Sequence, residues 1–323
     1  MNYFAKLMKL SLLTTISIFM FSCSDDETDV LPQNNSITSI ASSVPEFSIL
    51  TEALVKTGLD QTLDQNGAFT VFAPTNEAFT TFLEDNNIAS LDDVSNEDLT
   101  QILLNHVLEG VNMSTDLSTS YVSTMAIGSA SATNKLSMYI NINNGVTLNG
   151  QSTVTQADIT ASNGVIHRVD AVIGLPTIVT HAVANSSFST LVSVLTDPNQ
   201  PDFAGILSGN DGAPFTVFAP TNLAFSDLDE ELAPGGIASV SNENLTKVLQ
   251  YHVVEEANVL AASITDNMMV TTILDQDFTI NLMNEMAIIT DVSGRTSEII
   301  ATDVQCSNGV IHVVDTVLLP SFD

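Results

Sequence analysis

"NGVIHRVDAVIGLP" stands at residues 163–176, and nearly the same words, "NGVIHVVDTVLLP", return at 308–320. Apolar residues alternate through both stretches and then run together, the pattern of a strand covered on both faces. Upstream, "FTVFAPTNEAF" at 69–79 returns as "FTVFAPTNLAF" at 215–225. The first word is offset by 146 residues and the second by 145, so the chain carries one module twice. This period lies far above that of solenoid repeats, and each copy therefore predicts an independent domain. A chain of 323 residues, 44% of them apolar, can build two cores.

The copies abut. Phe47 and Leu50 match Phe188 and Leu191, and the similarity reaches back to Ile37 and Ile178, which gives domains over 36–176 and 177–323. With Pro176 at the boundary and no Gly/Ser spacer, the domains are expected to touch and hold a preferred angle. The main length change is "LTDPNQPDFAGILSGNDGAP" in place of "GLDQTLDQNGA", which predicts a surface loop.

Within a copy, "SSVPEFSILTEALVKTG" offers a Ser43-to-Glu46 capping box, apolar Phe47, Leu50 and Leu54 at helical spacing, and Gly58 as a stop. "FTVFA" reads as a buried strand. Pro74 interrupts it, and Thr75, followed by Asn76, supplies an N-cap to a helix carrying Phe79 and Phe82; Thr221 and Asn222 repeat this. "SNEDLTQILLNHV" and "SNENLTKVLQYHV" are capped helices with Leu99, Ile102 and Leu103, or Leu245, Val248 and Leu249, on one side. The remainder is strand and turn, so each copy is an α+β domain.

His106 lies three residues after Leu103 and four after Ile102, on the apolar stripe of its helix, and His252 repeats the spacing. His167 shares a strand face with Val165 and Val169, while Ile166, Asp170 and Val172 take the other. His312 sits likewise beside Val310 and Val314, with Asp315 in the place of Asp170. Such histidines are neutral core residues bonded through a ring nitrogen, because a metal or catalytic role needs further converging ligands. Asn163-Gly164 and Asn308-Gly309 read as the tight turn into that strand.

Lys and Arg number 7 against 38 acids, a formal charge of −31, which repels nucleic acid and anionic membranes. Residues 1–22 read as a signal segment: Lys6 and Lys9 precede an apolar run too short for a comfortable permanent anchor. It ends at Cys23 in a stretch that resembles the lipobox of bacterial lipoproteins, in which the cysteine is lipidated. The acidic "SDDE" that follows is similar to a surface-export signal of such lipoproteins. Residues 23–35 then form an acidic and polar tether. With Cys23 lipidated, Cys306 is the remaining thiol, so no internal disulfide is expected. Its match to Ala161 marks a small buried residue rather than a nucleophile.

The two repeated words resemble the signatures of the fasciclin family, and "YHVV" at 251–254, with Tyr251 and His252, is similar to the Tyr-His segment between them. The resemblance covers about residues 36 to 320; the first copy departs by placing Asn105 where the second has Tyr251. It implies a β-wedge or sandwich with a helical layer and a non-enzymatic role in extracellular adhesion. In eukaryotic members it links the Tyr-His region to integrin binding, a role that does not transfer to a bacterial lipoprotein without its partner.

The leading expectation is thus an outer-membrane lipoprotein on the cell surface. It touches the membrane only through the lipid at Cys23 and binds an extracellular polysaccharide or a surface protein, with no cofactor. The exposed segments Asn199 to Gly212 and Asp227 to Glu231 are where recognition is expected. The alternative is a surface glycan-processing enzyme or an accessory glycan-binding protein of an uptake system. Against an enzyme, no Gly-x-Ser-x-Gly, His-Glu-x-x-His or phosphate-cradling loop appears. The clusters "DLDEE" and "DQD" lack EF-hand spacing for calcium.

Overall fold

A computed structural model describes residues 35–284 and 286–322. The expected signal segment, Cys23 and all of the tether but Asn35 lie outside the described residues. The first domain opens with helices α1 (Ile37–Ser43), α2 (Ser48–Thr57) and α3 (Leu59–Asp64), strand β1 (Phe69–Pro74), then α4 (Asn76–Asp85) and α5 (Asn96–Leu104). Strands β2 (Val107–Glu109), β3 (Ser120–Gly128), β4 (Ser131–Asn141), β5 (Thr147–Leu148), β6 (Ser152–Ala161) and β7 (Gly164–Val169) complete it. The second domain repeats the order with α6 (Ile178–Ala184), α7 (Ser189–Leu195), α8 (Phe203–Ser208), β8 (Phe215–Pro220), α9 (Asn222–Glu231) and α10 (Asn242–Gln250). Its later strands are β9 (Val253–Val254), β10 (Met268–Thr271), β11 (Asp277–Met283), β12 (Met286–Thr290), β13 (Thr296–Cys306) and β14 (Gly309–Val314).

The two repeated words are partners in space. β1 lies parallel to β7, with Phe72 opposite His167, and β8 lies parallel to β14, with Phe218 opposite His312. Both strands of each pair are covered on both faces, and the period of two sorts their side chains into two cores. In the first domain Val71, Ala73 and Ile166 pack with the helices, while Phe72 and Val169 pack inside the sheet with Met138, Ile140 and Leu148. In the second, Val217, Ala219 and Ile311 join the helical core, and Phe218 and Val314 join Tyr251, Phe278 and Ile280. The α+β wedge with a helical layer is therefore the observed fold.

The sheets differ at their seam. In the first domain β3 pairs with both β4 and, through Leu108 and Thr124, β2, which closes a seven-stranded barrel. In the second domain β10 has only four residues, and the sheet runs open from β10 to β9. One hydrogen bond, from the Ile273 N–H to the Val253 carbonyl, spans the corresponding gap.

Three local expectations change. The Ser43-to-Glu46 capping box does not form, because Pro45 directs Val44 into extended backbone and starts a 3-10 turn, and α2 begins only at Ser48. The Ser43 hydroxyl donates back to the Ile40 carbonyl, and Glu46 pairs with Arg168. The insertion before β8 is not simply a loop: it folds as α8, capped by Asp202 and burying Phe203 and Leu207. Asn163 and Asn308 do more than turn the chain. Asn163 accepts the Ile37 N–H and donates to the Leu63 and Gln65 carbonyls, and Asn308 makes the same three bonds to Ile178, Leu207 and Gly209. The following glycines are required by close approach: a Cβ on Gly164 or Gly309 would stand 2.1 or 2.2 Å from the carbonyl oxygen of Phe69 or Phe215.

The domains are in contact. The Gln305 N–H donates to the Ser137 hydroxyl at 3.0 Å, and the Ala130 N–H and Ser129 hydroxyl both donate to the Ser307 carbonyl at 2.9 Å. Gly128 permits this approach, since a Cβ there would lie 2.5 Å from Ser307 Cα.

Candidate functional site

Histidines stand in both copies of the "NGVIH" word and in the capped helical segments that precede it, so their bonding decides what those sites can do. His106 lies just past the end of α5. Its Nδ1 lies 2.7 Å from the Ile102 carbonyl, and its Nε2 accepts the Ile173 N–H at 2.9 Å. A nitrogen that accepts an N–H carries no proton, so Nδ1 holds it and the ring is neutral. His252 repeats the arrangement, donating from Nδ1 to the Val248 carbonyl at 2.7 Å and accepting the Leu318 N–H at 3.0 Å. Burial lowers both pKa values to about 4, against a smaller opposing effect of the helix carbonyl.

His167 and His312 are fully buried on the central strands. The Nε2 of His167 meets the Asn112 carbonyl at 2.9 Å while its Nδ1 accepts the Asp158 N–H at 3.2 Å, so this ring is the opposite neutral tautomer. Asp158 occupies a bulge at φ 63°, which aims its N–H inward. The Ser114 hydroxyl and N–H hold its carboxyl below the usual range. His312 meets the Val259 carbonyl at 2.7 Å, and burial lowers its pKa. Phe72 and Phe218 stack on the two rings at centroid distances of 5.5 and 5.4 Å.

The other motif residues are fastenings too. Thr75 and Thr221 accept the N–H groups of Ala78 and Ala224 as N-caps. Asn76 links α4 to the start of α2 through the Ile49 N–H and the Pro45 carbonyl, and Asn222 does the same with Thr190 and Ser186. Asp170 accepts the Thr153 N–H, and Asp315 accepts the Glu298 N–H. Tyr251 is fully buried, donates to the Asp277 carbonyl at 2.7 Å, and has its pKa pushed up to about 12 by burial. Asn105 fills the corresponding place by donating to the Gly174 carbonyl at 3.0 Å. The Tyr-His segment is thus internal in both copies and presents no surface.

What remains outward is a face at the start of α4. Glu46, Thr75, Glu77, Thr81, Thr155 and Arg168 surround an open cleft of about 510 Å³. Arg168 crosses it, with Nη1 at 2.9 Å from Glu46 and Nε at 3.1 Å from the Thr155 hydroxyl. In the second domain the equivalent positions hold Ser187, Leu223, Asp227, Ile300 and Val313, and Leu223 and Ile300 are 68% and 51% exposed. One backbone therefore carries an Arg–Glu face in one copy, whereas the other exposes Leu223 and Ile300 beside Ser187 and Asp227, with Val313 buried in the helical core. Comparison of the nearly identical words exposes this divergence in the sequence, at Glu77 against Leu223 and Arg168 against Val313.

The expected recognition segments are partly structural. Asp229 accepts the Ile237 N–H at 2.9 Å, and Glu231 pairs with Arg295. Among the described residues no group of three His, Cys, Asp or Glu side chains is placed to hold a metal ion.

The model of the fasciclin domain matches residues 45–176 and 186–320. The chain belongs to the fasciclin domain family. Protein sll1483 of Synechocystis is 33% identical over 172 residues, covering 53% of this chain and 89% of that protein. Human periostin is 26% identical over 271 residues, 81% of this chain but only 29% of periostin. The solved FAS1 domain pair of the insect cell adhesion molecule Fasciclin I superposes with a TM-score of 0.51 at 17% identity, covering 83% of this chain and 95% of the pair, a likeness of fold. Fasciclin domains are cell-adhesion and interaction domains. In this fasciclin pair the residues that carry the family signatures are those that hold each domain together, and the copies differ on their outer faces.

Proposed function

We propose that the chain is a surface lipoprotein, anchored through Cys23 to an outer membrane, that adheres to an extracellular polysaccharide or surface protein through its fasciclin domains without catalysing a reaction. The observation that carries this reading is the divergence of one outer face between copies: Glu46, Glu77, Thr155 and Arg168 against Ser187, Leu223, Asp227 and Ile300. The inner fastenings are duplicated almost atom for atom, while these outer side chains change in character. Two unlike faces on adjoining domains contact two parts of one large ligand, and their linkage raises affinity by avidity.

Binding of the described domain pair to a panel of immobilised polysaccharides and matrix proteins tests this. Doubly substituted Arg168→Ala/Glu77→Lys or Leu223→Asp/Ile300→Asp proteins are expected to lose affinity about tenfold or more while melting at the parent temperature. Unchanged binding by both variants, or turnover of a glycan, contradicts it.

A further inference from the structure

The fifth histidine belongs to no family word. His181 lies in the middle of α6, fully buried, where the first copy has Ile40. Its ring is on the joint between the domains: Tyr121 of β3 meets it edge-on at a centroid distance of 5.3 Å, and Tyr139 of β4 stands 4.9 Å beyond Tyr121. The Tyr121 hydroxyl in turn accepts from the Asn185 amide at 3.2 Å, just past the end of α6. Unlike the other four imidazoles, His181 has no well-formed hydrogen bond at either ring nitrogen, although the Ser137 backbone favours its charged form.

We propose that His181 is an acid-sensitive latch of the domain joint, whose protonation loosens the contact between the two fasciclin domains. Apart from the Ser137 backbone, the groups around it offer a cation no partner. On the facing strands β3, β4 and β13, burial keeps Tyr121, Tyr139 and Cys306 in their neutral forms, while Lys135 is paired with Glu109, Asp303 is exposed and accepts the Ala261 N–H, and the half-buried Glu298 lies eight residues before Cys306. α7 carries no titratable side chain. β14 carries the buried His312, and Asp202 at the cap of α8 is exposed and bonded to the Gly205 N–H. Burial lowers the His181 pKa to about 4, and the backbone at Ser137 offsets this only in part. Opening the joint returns the ring to water and to an ordinary pKa near 6.5. Protonation therefore favours the open joint as pH falls from 6.5 towards 4, by about 30-fold at pH 5 and at most about 300-fold. Ile40 shows that an aliphatic side chain fits this place in the fold, so the imidazole is not demanded by the helix itself.

Amide hydrogen exchange of the described domain pair reads the joint directly. The Ala130 and Gln305 N–H groups bond across it, while the Phe72 and Phe218 N–H groups, bonded to the His106 and His252 carbonyls, report opening within each domain. After correction for intrinsic rates, protection at Ala130 and Gln305 relative to Phe72 and Phe218 is expected to fall about 20-fold between pH 7 and pH 5. In His181→Ile it should stay constant. His181→Gln, polar but without a titration, provides the same comparison should the isoleucine variant fail to fold. An acid loss that is absent from the parent, or equal in the parent and in a folded variant, overturns the proposal.

Discussion

The Ile173 N–H donates to His106 Nε2 at 2.9 Å, joining the end of the helical layer to the chain that leaves the central strand 67 residues later. The same ring holds the Ile102 carbonyl, so one imidazole satisfies two backbone groups that burial would otherwise leave unpaired. Leu318 and His252 stand in the same relation in the second domain.

Removing that rivet leaves a buried donor, a buried acceptor and a cavity. His106→Ala and His252→Ala are each expected to destabilise their own domain by about 3 kcal/mol, read as a lower urea midpoint. A change below about 1 kcal/mol would show that the ring is dispensable to packing.

Acid should unfold the domains from within. His106 and His252 have folded pKa values of about 4 against about 6.5 when unfolded, so the unfolded chain binds more protons and stability falls as pH drops through 6.5 towards 4. Each contributes a loss of about 3 kcal/mol across that window. Urea titrations at pH 7 and pH 4.5 measure it; a stability independent of pH over this range would contradict neutral burial.

The paired asparagines offer a sharper test of chemistry against size. Asn163→Ala and Asn308→Ala each lose three hydrogen bonds and are expected to cost about 2–4 kcal/mol. Asn163→Asp should cost as much, because a carboxylate cannot donate to the Leu63 and Gln65 carbonyls. Thermal melting distinguishes this from a simple turn, for which aspartate would be tolerated.

Glycine substitutions should split into two groups. Gly164→Ala and Gly309→Ala drive a Cβ into the neighbouring strand, and a loss of several kcal/mol or failure to fold is expected. Gly174→Ala has open space and should melt within a few degrees of the parent. Equal tolerance at all three positions would refute the close-approach argument.

The repeats, the two domains, the strand words and the burial of four histidines were legible because each rests on periodicity or on direct self-comparison. The parallel pairing of Phe72 with His167 was not, since contacts 95 residues apart leave no local trace. The capping box at Ser43 does not form because Pro45, inside the Ser43-to-Glu46 stretch itself, outweighs a two-residue pattern. The insertion concealed α8 because Phe203 and Leu207 are only one helical turn of apolar signal. His181 gives no signal in the sequence because an isolated histidine in "IVTHAVA" has no repeated partner, and its meaning comes from the facing Tyr121.

The central claim is that the family histidines are neutral structural fasteners and that recognition takes place outside them. Nitrogen NMR of the imidazole rings tests it most directly. It should find His106 and His252 protonated at Nδ1 and His167 at Nε2, with His106 and His252 unchanged between pH 7 and pH 5.5 and all three rings unchanged on addition of any ligand that binds. Titration of His106 or His252 near pH 6.5 in the folded protein, or a direct shift of any of the three rings on ligand contact, would contradict the account.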